Sequence, residues 1–531
     1  MKTAELTDVL VIGSGFGGAI PAYHLAAGGA KVLILERGPQ ISSAGFEQDW
    51  KHGTWTRVLD LVKGDGMTAL AGNCVGGGSV HYYAVSLRAP SFTFERGGGR
   101  MWPRSIRRAT LDPWYERAEE SLPVTLLDWK EVSYAGGLFA AACRNAGRTC
   151  QPVPVAVDTE ACVNCGWMVG GCHFGAKRSM ILNYLPAAQA HGAVLRPLCE
   201  VQRLSRAQTP GYRYRAHYGA EVVEAKVVIV AAGAMATPVL LRRSAFGLGG
   251  MPGAVGRYFS GNGDLLTVTQ MDEGRIADVL GLEREPGIAY QAYPIGKSIT
   301  TQSLDHTDPR KPEFTRFSIQ QCYNTPLTNM LAEGPSWFGV GKKQARREWR
   351  SWLGTLAMYE DDNEGVFGLL PPTGAYLKLA DGLGLSPLRY RRSANSERAR
   401  SLVLAELRAI LEKDGLGRVM PFTEDLIGEV TAHPLASARI GDDPATSACD
   451  EGHRLRGHEG LFVTDGSAVP GALCVNPSLT ISALAERAVP YIVRQLRDDG
   501  VAVTYGAPAP GGATSGRRAT LELAERVISG G

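Results

Sequence analysis

The sequence predicts a mixed α/β fold built on a Rossmann-like sheet, and three stretches predict it. Residues 8–36 read strand, glycine turn, helix, strand. Val222–Ala231 runs like a hairpin arm into a buried strand, then into Ala232-Gly233-Ala234 and a helix start at Pro238. Leu461–Val463 leads through Asp465-Gly466 to a further helix that begins near Pro477. Short apolar, β-branched runs followed by small-residue turns and helices are the pattern of a buried parallel sheet.

The first stretch carries the most chemistry. Val9–Ile12 has the length and branching of a buried strand, and Gly13, Gly15 and Gly18 follow it as G-x-G-x-x-G. In that spacing the first glycine allows the tight turn, the second lets the backbone approach a pyrophosphate, and the third lets helix and strand pack closely. Phosphate then meets free N–H groups at the positive end of a helix. Pro21 is expected in the first turn or so, where a missing N–H is tolerated. The second strand, Val32–Leu35, ends in Glu36, 18 residues after Gly18 and near the offset of a ribose-binding carboxylate. The stretch binds a dinucleotide; by itself it leaves NAD and FAD equally open.

The rest of the composition sets bounds. A chain of 531 residues holds two or more domains or one elaborated fold. It is 44% hydrophobic and 21% charged with a net charge of +3 and no long basic run, which gives no reason to expect nucleic acid. No apolar stretch is long enough to span a membrane. The first strand begins by Asp8, so no secretory signal is expected and the cytoplasm is the expected location. Ten cysteines in a chain this long are not a disulfide scaffold.

Residues 37–70 read as mixed and polar, and 90–130 as an irregular cover. Between them, Gly72 and Asn73 precede Gly76, Gly77, Gly78 and Ser79. Three consecutive glycines suit a backbone pressed against a flat or charged ligand with its amides free to donate. Cys162, Cys165 and Cys172 cluster, but Met168 stands where a further evenly spaced cysteine would complete a metal-ligand set, so a tight loop and no metal is expected. Aromatics scattered over 263–425, among them Trp337, Phe338, Trp352, Tyr359, Phe367 and Tyr376, suggest a separate layer able to line an apolar pocket. His433 precedes a proline, and Asn476 sits where a helix cap belongs. After Arg494 the chain turns Gly/Pro/Ala-rich over 505–515, and Arg517–Ile528 has the pattern of a short amphipathic helix.

Five blocks in this order resemble the glucose–methanol–choline flavin oxidoreductases, within them the cholesterol-oxidase-like branch. They are the fingerprint with Glu36, Val75–Ser79, Cys162–Lys177, Ala231–Leu241, and His433 through Asp465-Gly466 to Asn476-Pro477. The resemblance implies an FAD domain assembled from 1–90, 190–262 and 426–500. A substrate-binding domain with an antiparallel sheet over the flavin would come from 91–189 and 263–425, and 501–531 would be a tail. By resemblance Gly13, Gly15 and Gly18 hold the pyrophosphate and Glu36 the adenosine ribose. Gly72, Asn73, Gly76, Gly77, Gly78 and Ser79 pass near pyrophosphate and isoalloxazine. Val201 meets adenine through its backbone, and Ala232 and Gly233 close the cofactor site. Asp465, Gly466, Pro477 and Ser478 face the ribityl chain and the pyrimidine end of the flavin.

The implied activity is oxidation of an alcohol CH–OH to a carbonyl, with hydride passing to flavin N5. A hydroxyl that loses its proton as carbon loses hydride needs a base within hydrogen-bond reach, and imidazole titrates in the right range. His433 matches the family base and Asn476 its polar partner. The substrate is expected to be a bulky, mostly apolar alcohol, sterol-like or a natural product, with oxygen or another acceptor reoxidising the flavin. Alternatives are a tailoring enzyme doing dehydrogenation, oxidative lactonisation or isomerisation, and a non-catalytic flavin-binding protein. Three departures bear on the substrate. Ala436 and Ser437 stand where the family has glycines. Extra residues fall around Ala448–His453. The family's substrate-domain glutamate has no counterpart better than Glu348. His81 lies where choline-oxidase-like members attach FAD covalently, although relatives with a histidine there also hold it non-covalently.

Overall fold

The computed structural model describes residues 4–49, 53–283, 297–322, 349–368, 385–421, 429–508 and 510. Trp337, Phe338, Tyr376, Glu348 and the 517–528 segment lie outside them.

The strand Glu5–Ile12 is buried because its last four residues are apolar without alternation, and it lies between two parallel neighbours, Val32–Leu35 and Glu221–Val230. Val194–Arg196 extends the sheet on one side. On the other, the ten-residue strand Glu221–Val230 is long enough to take two partners in succession. Its first half pairs antiparallel with Tyr214–Tyr218, which pairs in turn with Val201–Arg206, and its last residues pair parallel with Leu461–Val463. Val228 opposite Leu461 and Val9 opposite Val227 bring the C-terminal strand within one strand of the N-terminal fingerprint. The fingerprint helix Phe16–Ala27 and the long helix Ser478–Asp498 pack together over this sheet. Pro21 is the sixth residue of its helix and sits inside it, not in the first turn.

A second sheet is antiparallel throughout. Its order is Gly417–Pro421, Asp264–Met271, Trp352–Tyr359, Phe317–Gln321, Thr301–Ser303 and Gln151–Pro152. One face is apolar: Leu265, Phe317, Ile319, Leu353 and Tyr359 bury against Leu138, Phe139, Val403 and Leu407 of the helices Tyr134–Asn145 and Ala394–Leu411. Period-two alternation sends the intervening residues to the other face. Tyr359 and Phe367 pack into hydrophobic cores, whereas Trp352, also buried, lies on the sheet face that carries Asp264.

A third sheet holds Val366–Phe367, Leu385–Arg389, Leu59–Asp65, Met67–Gly72 and Glu429–Thr431. It corrects the reading of residues 37–70. Asp65-Gly66, with Gly66 at φ +93°, is the turn of a hairpin, and an Asp-Gly pair between apolar-rich runs is its sequence signal. The expected irregular cover at 90–130 contains the helix Arg108–Ser121, which Pro113 in its interior disguises.

Candidate active site

The site forms where these sheets meet. Glu429–Thr431 pairs parallel with Met67–Gly72, so the chain leaving Thr431 runs beside the chain leaving Gly72. One carries His433 and the other the triple glycine. Backbone N–H of His433 donates to Thr431 Oγ1 at 2.9 Å, fixing the first residues past the strand. The ring then meets Asp264, the first residue of Asp264–Met271 in the antiparallel sheet, with Nδ1 2.8 Å from Oδ1. Asp264 Oδ2 accepts from Thr431 Oγ1 and from the Ala432 N–H, each at 3.0 Å. The Asp264 side chain is 2% exposed and that of His433 13%, so the pair sits nearly dry. A carboxylate can only accept, so Nδ1 carries the hydrogen and Nε2 the lone pair.

Asn476 faces that lone pair, its Nδ2 3.4 Å from His433 Nε2. Its Oδ1 accepts from Gln320 Nε2 at 2.8 Å. Asn476 therefore does not cap the helix that follows. Pro477 is the cap residue and offers no side-chain cap hydrogen bond, so the start of Ser478–Asp498 is left as an uncapped positive helix end. A continuous polar chain thus runs Asp264, His433, Asn476, Gln320.

The fingerprint glycines and the triple glycine come together at the start of the helix Phe16–Ala27. Gly13 has φ +96°, and a Cβ there would fall 2.3 Å from the Ala231 carbonyl oxygen; a Cβ on Gly18 would fall 2.0 Å from that of Gly13. These two glycines serve turn and packing, while a Cβ on Gly15, the uncapped start of its helix, would meet nothing nearer than 3.9 Å. A Cβ on Gly77 would sit 3.2 Å from Gly15 Cα, whereas Gly78 and Gly233 face open space within 4 Å. Gly72 is packed on Gly77 backbone and Ser79 Oγ bonds inward to Gly76 O, so both shape the turn from behind. Asn73 donates its backbone N–H to Val58 O at 2.7 Å. Glu36 ties the region together: its carboxylate accepts from Ser14 N–H and Oγ and from the Gly38 N–H, and Ser14 Oγ accepts from the Gly76 N–H. Val201 begins a strand two residues after Cys199, whose N–H bonds Glu36 O.

Asp465 is turned away from this space. Its carboxylate accepts from the Gly233 N–H at 2.7 Å, Thr237 Oγ1 at 2.5 Å and both N–H and Oγ of Ser467. Burial raises its pKa, while these bonds oppose that rise. It clasps two turns, and only its backbone, beside Gly17 and Gly466, borders the site. Ala436 holds φ +68° and Ser437 donates to Ala234 O at 2.7 Å, both fully buried, so these departures from glycine pack into the protein. His81 has Nδ1 on Val169 O at 2.8 Å and Nε2 3.7 Å from Cys74 Sγ; burial lowers its pKa to about 4. Both ring nitrogens face protein atoms. None of the ten cysteines is in a disulfide, and among the described residues no group of three or more His, Cys, Asp or Glu is placed to hold a metal.

The uncapped helix ends and the clustered glycines fit a dinucleotide, and the family models agree. GMC oxidoreductase models match residues 7–260 and 387–485. The chain belongs to the GMC oxidoreductases. A cholesterol oxidase of Mycobacterium tuberculosis (strain ATCC 25618 / H37Rv) is 26% identical over 558 residues, covering 91% of this chain and 90% of that protein. A 2-methyl-1,2-propanediol dehydrogenase of Mycolicibacterium austroafricanum is 27% identical over 554 residues, covering 93% and 97%. In structure, a pyridoxine 4-oxidase from Mesorbium loti superposes with a TM-score of 0.64 at 16% identity, covering 92% of this chain and 99% of that one. This GMC oxidoreductase is an enzyme and an FAD flavoprotein. No helix among the described residues is long and apolar enough to cross a membrane.

Sequence reading missed Asp264, Gln320 and Ser14. Asp264 follows the Ser260–Gly263 turn with no local pattern of its own, and its importance rests on a partner 169 positions away. Ser14 was the readable one, since it lies inside the fingerprint.

Proposed function

We propose that this enzyme oxidises an alcohol CH–OH to a carbonyl, with His433 as the base and Asn476 as the group that orients the hydroxyl. The observation that carries the reading is the Asp264–His433 pair, which leaves Nε2 as an acceptor 3.4 Å from an amide donor. A hydroxyl between them donates to Nε2 and accepts from Asn476 Nδ2. As its proton moves to Nε2, the carboxylate of Asp264 stabilises the imidazolium that forms. FAD, when bound, supplies the hydride acceptor at flavin N5.

Gly15 meets the pyrophosphate at the uncapped start of Phe16–Ala27, Gly13 and Gly18 allow the turn and the close packing that hold it there, and Glu36 meets the adenosine ribose. Val201 borders adenine, and Gly72, Asn73, Ala232 and Gly233 shape the walls. Gly76, Gly77, Gly78 and Ser79 form the turn along the flavin. Asp465 and Gly466 contribute backbone, and Pro477 and Ser478 place a positive helix end by the flavin pyrimidine, where it stabilises negative charge. The engaged nitrogens of His81 support non-covalent FAD. The substrate has an apolar body, sterol-like or a natural product in class; the cholesterol oxidase relatives and Leu266 and Leu356, on the same sheet face as Asp264, support this. Oxygen or another acceptor reoxidises the flavin. The inward packing of Ala436 and Ser437 removes the main ground for a lactonising or isomerising tailoring reaction.

His433→Ala tests the base. The variant should bind FAD and stay folded, and its anaerobic flavin reduction by an alcohol panel should fall about 10²–10⁴-fold, the usual contribution of an acid–base group. Reduction at the wild-type rate would show that another group is the base.

A further inference from the structure

Beside Asn476 the sheet presents two glutamines in adjacent register. Gln302 pairs with Gln320, Gln320 with Leu356, and Leu356 with Leu266, so these four form one row across the face that carries Asp264. Both glutamines are 0% exposed. Gln320 Nε2 donates to Asn476 Oδ1 at 2.8 Å and to Gln302 Oε1 at 3.3 Å. That leaves Gln320 Oε1 and Gln302 Nε2 buried with no partner among the described residues. Turning the amides over does not help. If Asn476, Gln320 and Gln302 all flip, the chain re-forms with Gln320 Nε2 and Gln302 Oε1 unmet, again one donor group and one acceptor.

Unmet buried amide groups are rare, and each is costly. A hydroxyl is the smallest group that satisfies both ends, since it donates to a carbonyl oxygen and accepts from an N–H at once. An ether or carbonyl answers only the donor, and a methylene answers neither.

We infer that Gln302 and Gln320 form a subsite for a second hydroxyl of the substrate, close to the carbon that is oxidised. This rests on the alcohol-oxidation reading for which carbon reacts, and it narrows the substrate class to diols and polyols carried on an apolar body. Leu356 and Leu266, next in the same row, receive the apolar part. Gln320 has two parts here: it holds Asn476 by one amide hydrogen and offers its oxygen to the substrate.

The test uses binding, so it does not depend on turnover. Pinacol and its mono-deoxy analogue are nearly equal in shape, and neither has a hydrogen on its carbinol carbon, so neither is oxidised. The FAD-loaded enzyme is titrated with each and the change in the flavin visible spectrum gives Kd. Pinacol should bind about tenfold to a hundredfold more tightly, the effect of leaving one or two buried groups unpaired. In Gln302→Leu, which keeps the Gln320 oxygen, the ratio should shrink about threefold to tenfold, the retained flavin spectrum reporting an intact fold. Gln302→Asn, which withdraws the amide by one methylene, should also shrink the ratio and serves if the leucine variant does not fold. Equal affinities in the wild type, or an unchanged ratio in either flavin-retaining variant, overturn the subsite. Turnover then separates the two readings. If neither monoalcohols nor diols reduce the flavin while pinacol keeps its preference, the subsite stands and the oxidation reading fails.

Discussion

Asp264→Asn separates a positioning carboxylate from a bystander. In the native site two oxygens serve three donors: Oδ1 takes His433 Nδ1, and Oδ2 takes Thr431 Oγ1 and the Ala432 N–H. Asparagine has one acceptor. The Ala432 N–H belongs to fixed backbone, whereas Thr431 Oγ1 has a second acceptor in Gly261 O at 2.9 Å. The amide oxygen therefore goes to Ala432, and the amide nitrogen faces Nδ1. Nδ1 must then accept, the hydrogen moves to Nε2, and the base points a donor at the substrate hydroxyl. The imidazolium also loses its counter-charge at 2.8 Å in a nearly dry place. Together these remove most of what an acid–base group contributes, about 3–4 kcal/mol of barrier or roughly 10²–10³-fold. The assay is anaerobic stopped-flow bleaching of the flavin by a saturating alcohol, with the absorption spectrum as the check that FAD remains bound. A variant that is reduced within threefold of wild type would refute the tautomer argument and the role given to Asp264.

Other expectations follow from the same geometry. Gly13→Ala forces a Cβ to 2.3 Å from Ala231 O at φ +96°, so the purified variant should carry little FAD, measured as the flavin-to-protein absorbance ratio. Glu486 is buried among His24 Nε2 at 2.9 Å, Tyr184 Oη at 2.6 Å and Arg117 Nε at 3.4 Å; Glu486→Gln should lower unfolding stability by about 3 kcal/mol in a denaturant titration. Burial lowers His81 to about 4 and His453 to about 3, below the ordinary 6.5. The unfolded chain then takes protons at higher pH than the folded one, so stability is full above about pH 6.5 and falls as pH drops toward 4. His81 accounts for about 3 kcal/mol of that fall. His81→Asn should flatten the dependence of the thermal midpoint over this window, and an unchanged slope would count against it.

How much of this was legible in the sequence depends on the distance over which each signal acts. Gly13, Gly15, Gly18 and Glu36 could be read because turn, helix start and strand end fall within one βαβ unit. His433 and Asn476 could be read only through family resemblance, since a histidine before a proline and an asparagine before a helix are ordinary by themselves. The hairpin at Asp65-Gly66 is equally local, since its turn pair and both arms are contiguous in the chain.

Local spacing determined that this chain binds a dinucleotide, because phosphate recognition needs only consecutive backbone amides and absent side chains. The chemistry of the reacting end was decided by tertiary structure. Asp264 reaches His433 across 169 positions, and Gln320 reaches Asn476 across 156, because the antiparallel sheet meets the chain that leaves strands of the other two sheets. Acid–base function depends on which atoms meet in a dry space, and no spacing along the chain records a meeting that only the packing of three sheets creates.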